Sequence, residues 1–352
     1  MSTSEVDATA LAVQRARALC DLRRFGDAVQ TLTAILGREP QNPYAWCLMA
    51  RAQLGAGHSD AALQAARNAS SLGPEEEWPH RLASLALYQL GDYPQAADAA
   101  KEAVRLAPHH WAAHVRLAYA LARIKGRSKE ANAAAKRGLE LAPHEPDAHM
   151  AAGAVAVAAR RREEAAAAFR RALEIDPQNA AAHNELARLN LRRRPLLTMG
   201  SGLLADAARG FATAVRTDPR ADVSRRNLDV VLRLFLGRTA YFIFLDAALA
   251  ARAGANTTAA PGRILPILLL AIPAAFAVRF VIQLPPSVRP YLARWLGDRW
   301  IAVAAALEAL ATATVIVSCL VTQTARPPLV AAGALMALST RIILWLQARR
   351  AG

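Results

Sequence analysis

The residues best equipped for chemistry are scattered rather than clustered. Eight histidines suggest metal ligation. His110 and His114, four apart, would share a helical face, but no thiol or carboxylate stands close enough in sequence to complete a site. His80, His114, His149 and His183 each fall six residues after a proline, at a position where an earlier stretch carries Trp46, so they belong to a packing pattern. No metal and no cofactor is expected. GxGxxG, Walker A, GxSxG and HExxH motifs are absent, as are paired catalytic carboxylates, and the chain is not expected to be an enzyme.

Four charges, Asp246, Arg279, Glu308 and Arg341, stand within long apolar runs. An ionised group inside a bilayer is costly, so such residues pair or face a cavity. One reading is a structural ion pair, with Glu308 and Arg341 at matching depth; the other is a conduction path. Arg192, Arg193 and Arg194, followed by Pro195-Leu196-Leu197-Thr198-Met199, suit either a membrane-surface contact or an exposed interhelical loop.

The elements that hold these groups follow from composition. Of 352 residues 54% are hydrophobic yet only 6% aromatic, because alanine dominates. Alanine favours helix and disfavours strand, so the fold class is all-α. The formal charge of +15 is carried by arginine, with four lysines only (Lys101, Lys125, Lys129, Lys136). That skew matches the alanine excess and gives no reason to expect nucleic acid. Three widely spaced cysteines, Cys20, Cys47 and Cys319, fit a reducing compartment, and no secretory signal opens the sequence.

Character changes near residue 230. Residues 1–229 hold 31 basic and 25 acidic residues, as a water-facing helical surface requires; residues 230–352 hold 12 arginines against Asp246, Asp298 and Glu308. Within the first part prolines recur at 40, 74, 108, 143, 177 and 219, at spacings of 34, 34, 35, 34 and 42. Twelve residues before each stands a small residue: Ala28, Ala62, Ala96, Ala131, Ala165 and Ala207. Eight before come Leu32, Ala66, Ala100, Ala135, Phe169 and Phe211; five before come Ile35, Ala69, Ala103, Gly138, Ala172 and Ala214. Turns are expected at Phe25-Gly26-Asp27, Gly57-His58-Ser59, Gly91-Asp92-Tyr93 and Gly126-Arg127-Ser128, where glycine permits positive φ and Asp or Ser caps the next helix.

With this period and these positions the sequence resembles the tetratricopeptide repeat (TPR) family. The resemblance implies a helical-hairpin solenoid over 1–221, with six repeats at 9–42, 43–76, 77–110, 111–145, 146–179 and 180–219. The sixth carries about eight extra residues. A capping and linker helix is expected over 222–238. The family's groove positions map onto Arg17, Tyr44, Arg51, Trp78, Arg81, Tyr88, Tyr119, Arg123, Asn184, Arg188 and Arg192. Aromatic and arginine side chains favour an extended, acidic protein or peptide partner, against which stands a merely solvated groove. The Lys and second Asn of carboxylate-clamping TPRs are missing.

Residues 239–352 read as a transmembrane helical bundle with spans at 264–284, 300–322 and 327–348, each about 20 residues long and in contact with the lipid bilayer. A further segment, 232–252, is either a short span or an interfacial helix. Four spans with both termini cytoplasmic put seven arginines on inner flanks and three on outer ones, obeying the positive-inside rule. The expected function is a multi-pass, membrane-anchored TPR scaffold binding a partner protein and assembling into a larger membrane complex. The alternative is a regulatory or structural subunit of a transporter or channel complex.

Overall fold

Alanine-rich sequence punctuated every 34 or so residues by proline can bury its small faces only by pairing helices, and in the computed structural model the described helices pair in this way. The structure describes residues 3–192, 201–217 and 225–238, with the separate positions 240, 241, 282, 339, 340 and 343. Among them run α1 (Thr3–Asp21), α2 (Phe25–Arg38), α3 (Pro43–Ala56), α4 (Ser59–Leu72), α5 (Glu77–Leu90), α6 (Tyr93–Leu106), α7 (Trp111–Ala122), α8 (Ser128–Leu141), α9 (Pro146–Ala158), α10 (Arg162–Ile175), α11 (Ala180–Arg192) and α12 (Ser201–Thr217). Residues 225–238 are helical as well. The chain divides into two compact units, Met1–Pro177 and Gln178–Gly352.

In the first unit each helix packs on the next, α1 on α2 through α9 on α10, and the odd-numbered helices also touch one another, α1 with α3, α3 with α5, α5 with α7 and α7 with α9. The even-numbered helices make no comparable contact among the described residues. The array therefore curves with its odd-numbered helices on the inside. Helix starts are set two residues after each closing proline. Asn42 accepts a hydrogen bond from the Ala45 amide at 2.9 Å, and Asn179, in the second unit, does the same for Ala182 at 2.9 Å. At the equivalent positions Glu76, His110 and Glu145 precede their helices without a side-chain cap.

The small residues twelve before each proline, Ala28, Ala62, Ala96, Ala131, Ala165 and Ala207, all have no exposed surface. A larger side chain there would push paired helices apart. Phe169 and Phe211, eight before their prolines, are the bulkiest fully buried side chains among the described residues.

The helix-ending turns correct the expected register in the first repeat. Gly57, Gly91 and Gly126 take φ of +84°, +85° and +83°, but Gly26 lies inside α2 and the left-handed residue is Arg23, φ +58°. Arg160, φ +60°, holds the same place after α9. Around Arg23, Gly57, Gly91 and Arg160 one hydrogen-bond pattern repeats, from the residue after the left-handed one to the carbonyl five back: Arg24 to Leu19, His58 to Gln53, Asp92 to Leu87, Arg161 to Ala156. This is the Schellman closure, which satisfies carbonyls left open at a helix end.

Two of the histidines six past the prolines are tethers, while His80 instead lies 3.4 Å from the Ser70 hydroxyl. His114 Nε2 lies 2.9 Å from the Pro108 carbonyl and His149 Nε2 2.9 Å from that of Pro143, and Trp46 Nε1 donates to Pro40 at 2.8 Å. Each bond fixes the entry to its helix, the same task served by two ring types.

Among the described residues no helix is long and apolar enough to cross a membrane. The expected spans at 264–284, 300–322 and 327–348 lie outside the described residues save for positions 282, 339, 340 and 343; of 232–252 only 232–238, 240 and 241 are described. Asp246, Arg279, Glu308 and Arg341 are outside them, as are Arg193 and Arg194.

Candidate functional site: the inner helix face

The inner face carries two aromatic groups and an arginine-lined cleft, built mostly from side chains that odd-numbered helices supply at successive turns, with Tyr93 from the start of α6. Tyr44 on α3 and Trp78 on α5 meet at 5.4 Å between ring centroids, and Tyr44 is 41% exposed. One repeat on, Tyr88 of α5 stands 5.4 Å from Tyr93 and 6.2 Å from Tyr119 of α7, both edge-on. Edge-on rings present their faces to cations, and both are used. The Arg116 guanidinium lies 5.1 Å over Tyr119 and that of Arg123 lies 4.7 Å over Tyr93, to whose hydroxyl Arg123 also donates at 2.8 Å.

Arginines of the face differ in how far they are engaged. Arg17 on α1 is exposed. Arg51 donates to Asp21 at 2.6 Å, bridging neighbouring repeats. Arg81 is half-buried and gives Nε and Nη2 to the two oxygens of Glu77 at 3.1 and 3.2 Å, which orients the guanidinium and leaves its other donors free. His110 Nδ1 stands 3.8 Å from the same carboxylate, out of hydrogen-bond reach, and is buried with no hydrogen-bond partner.

Arg81, His110 and Arg116 converge on a cavity of about 360 Å³ between α5, α7 and α9, floored by Leu82, Leu85 and Val115, walled by Trp111 and Ala112, with Asp147 at its edge. Arg116, and the donors of Arg81 that Glu77 leaves open, stand with His110 over an apolar floor, with Asp147 the second carboxylate nearby, and can seat a side chain or terminus that is aliphatic with a hydrogen-bond-accepting or anionic end. Arg116 and His110 were not among the groove residues expected from sequence. The signal for Arg116 was available, since it lies three residues before Tyr119 and so on the same helical face. That for His110 was not, because a helix-capping position gives no cue to where an uncapping ring turns.

Of the other expected groove residues, Asn184 is 7% exposed and accepts a hydrogen bond from Asn227 at 2.8 Å, so its amide is taken up inside the second unit. Arg188 is exposed and pairs with Glu185 at 2.7 Å. Arg192 ends α11.

Elsewhere, exposed arginines and acids pair three residues apart on the even-numbered helices, as in Arg105 with Glu102 and Arg171 with Glu174. Such solvated pairs add little stability.

Comparison with known proteins agrees with this architecture. Residues 13–77 and 81–146 match one tetratricopeptide repeat model and residues 146–179 another. No curated protein matches the chain. Among solved structures, TTC0263, a thermophilic TPR protein of Thermus thermophilus, is similar at 24% identity over 52% of this chain and 99% of its own, with a TM-score of 0.48. The APC/C hetero-tetramer Cut9-Hcn1 is similar at 16% identity and a TM-score of 0.51 over 64% of this chain; the chain spans 43% of that one. YrrB, a TPR protein with an unusual peptide-binding site, is similar at 16% identity over 55% of this chain and 95% of its own, with a TM-score of 0.35. Between residues 13 and 179 the chain is built of tetratricopeptide repeats, stacked as an all-α solenoid.

Proposed function

We propose that the chain is a membrane-anchored adaptor whose inner helix face binds an extended, acidic segment of a partner protein, and that it acts by binding rather than catalysis. The observation that carries this reading is the cavity in which Arg81, His110 and Arg116 stand over Leu82 and Leu85. Buried apolar anchors set beside arginine are what concentrate binding energy at protein interfaces. The two aromatic groups extend the same face by a repeat and more, enough for several residues of extended peptide. The apolar runs after residue 239 would hold the array at a membrane as four spans, with both termini cytoplasmic and the partner drawn into a membrane complex.

The test is affinity purification of the intact chain in mild detergent, comparing Arg81→Gln/Arg116→Gln with a control pair on outer helices, Arg105→Gln/Arg137→Gln. Losing two charge-assisted contacts should weaken partner capture by about a hundredfold or more in the first variant and leave it unchanged in the second. Equal capture by both variants would remove the groove from the function.

A further inference from the structure

Arg116 is engaged differently from the other inner-face arginines around it. Arg51 is held by Asp21, Arg81 by both oxygens of Glu77 and Arg123 by the Tyr93 hydroxyl. Arg116, half-buried on α7, makes no hydrogen bond and no ion pair among the described residues, and Asp147, which lines the same cleft, does not pair with it. Its guanidinium lies instead over the Tyr119 ring at 5.1 Å. Tyr119 meets Tyr88 edge-on at 6.2 Å, and both rings pack against the buried core. A ring face attracts a cation without taking up its N–H groups, so the donors of Arg116 stay open. The charge is thus partly stripped of water beside Leu82, Leu85 and Val115, fixed in place, and uncompensated. A carboxylate arriving there would form a strong, charge-assisted bond.

We infer that Arg116 is the residue through which the cleft selects its occupant, with Tyr119 as its positioning residue, and that the occupant is an internal, extended stretch of the partner carrying an aliphatic residue and, two residues on, one Asp or Glu. The inference rests on the groove reading above. In an extended chain, residues two apart point to the same side, about 6.5–7 Å from each other. One side chain can then lie on Leu82, Leu85 and Val115 while the other meets Arg116. Along α5 the cleft residues Arg81, Leu82 and Leu85 stand between Trp78, one turn before, and Tyr88, one turn after, so aromatic surface continues at both ends. A segment crossing the cleft therefore passes on instead of ending there. Charge limits the acid to one, since Glu77 already answers Arg81 and Asp147 lines the cleft, and a second carboxylate would meet like charge.

The experiment titrates the full chain in mild detergent with three dye-labelled Gly/Ser peptides, read by fluorescence anisotropy. Two are blocked at both ends and carry Leu-Ser-Glu or Leu-Ser-Gln; the third ends in Leu with a free carboxylate. The native chain should bind the Glu peptide about tenfold or more tighter than the Gln peptide, and tighter than the free-ended one. Arg116→Gln should bring the Glu and Gln peptides to one affinity, whereas Arg81→Gln should weaken both alike. Tyr119→Leu should cut the preference about threefold or more and Tyr119→Phe restore it, because the ring face survives. Loss of folding would weaken both peptides equally and leave no such pattern. Equal binding of the Glu and Gln peptides by the native chain overturns the inference, as does binding of neither, or a preference that survives Arg116→Gln. Tightest binding of the free-ended peptide would overturn the internal stretch, and loss of preference in Tyr119→Phe would overturn the role of the ring. Peptides bound alike while Arg81→Gln/Arg116→Gln loses the native partner would sink this inference and leave the groove reading standing. Native-partner capture untouched by that pair would sink the groove reading itself.

Discussion

The Phe169 ring occupies the space in which a side chain at Gly153 would begin: a Cβ there would stand 2.3 Å from the ring. Glycine at 153 is what lets α9 lie flat on the fully buried phenylalanine of α10.

Gly153→Ala should therefore destabilise the array by about 1–3 kcal/mol, the range for overpacking a filled core, although alanine is the better helix former. Gly55 meets Phe25 at the same distance, but Phe25 is half-exposed and can swing aside. Urea denaturation should show a smaller loss for Gly55→Ala than for Gly153→Ala, and a reversed order would mean that Phe169 has room to move.

Arg23 and Arg160 occupy the left-handed position that glycine holds at 57 and 91. Arg23→Gly and Arg160→Gly should each raise stability by about 0.5–1 kcal/mol, the relief of a left-handed side chain less the entropy glycine adds to the unfolded chain. Gly57→Ala and Gly91→Ala should lower it by a similar amount. Thermal melts of the four variants check the pattern, and a loss in both arginine variants would contradict it.

Cys47 is buried, and that burial pushes its thiol up to about 12 from an ordinary 9.0, helped by the nearby carboxylates of Glu76 and Glu77 and opposed by Arg81. Below pH about 9 the thiol is protonated whether the chain is folded or not. Above it the unfolded chain releases the proton while the folded chain keeps it, so this contribution to stability is lost as pH rises toward about 12. The slope attributable to Cys47 should approach about 1.4 kcal/mol per pH unit at most. Comparing denaturation midpoints of the native chain and Cys47→Ala as the pH is raised isolates it; identical pH dependence would mean that the thiol is solvated.

Topology is testable with an impermeant thiol reagent on intact cells. Cys20 and Cys47 are buried and make poor reporters, so an exposed site such as Lys136→Cys is needed beside Asn256→Cys. Both termini inside predicts labelling at 256 in intact cells and at 136 only after permeabilisation. The reverse pattern would invert the orientation.

Much of the array was legible because its determinants are local and recur. A proline that ends one hairpin, a cap two residues later, an alanine where helices cross and a glycine where the chain turns back each act within a few residues of themselves, so a 34-residue period exposes them. Where the residue type gave no cue, reading by type erred. Arg23 and Arg160 are not residues expected at positive φ, and Gly26 drew the first turn three residues late. The fold tolerates arginine there because the Schellman closure and the packing on either side hold the turn.

The hairpin is thus written in the chain: its length, its helices and its buried small residues. Which side chains meet across hairpins is settled by stacking instead. Arg51 reaches Asp21, Ser59 reaches Gln89 and Arg123 reaches Tyr93, each about 30 residues away. His110 and Arg116 turn into the cleft beside Arg81, while Asn184 turns away into the protein. The rotation between successive hairpins sets these pairings, and that rotation is a sum of many packing contacts spread over two repeats. No single position in the sequence encodes it.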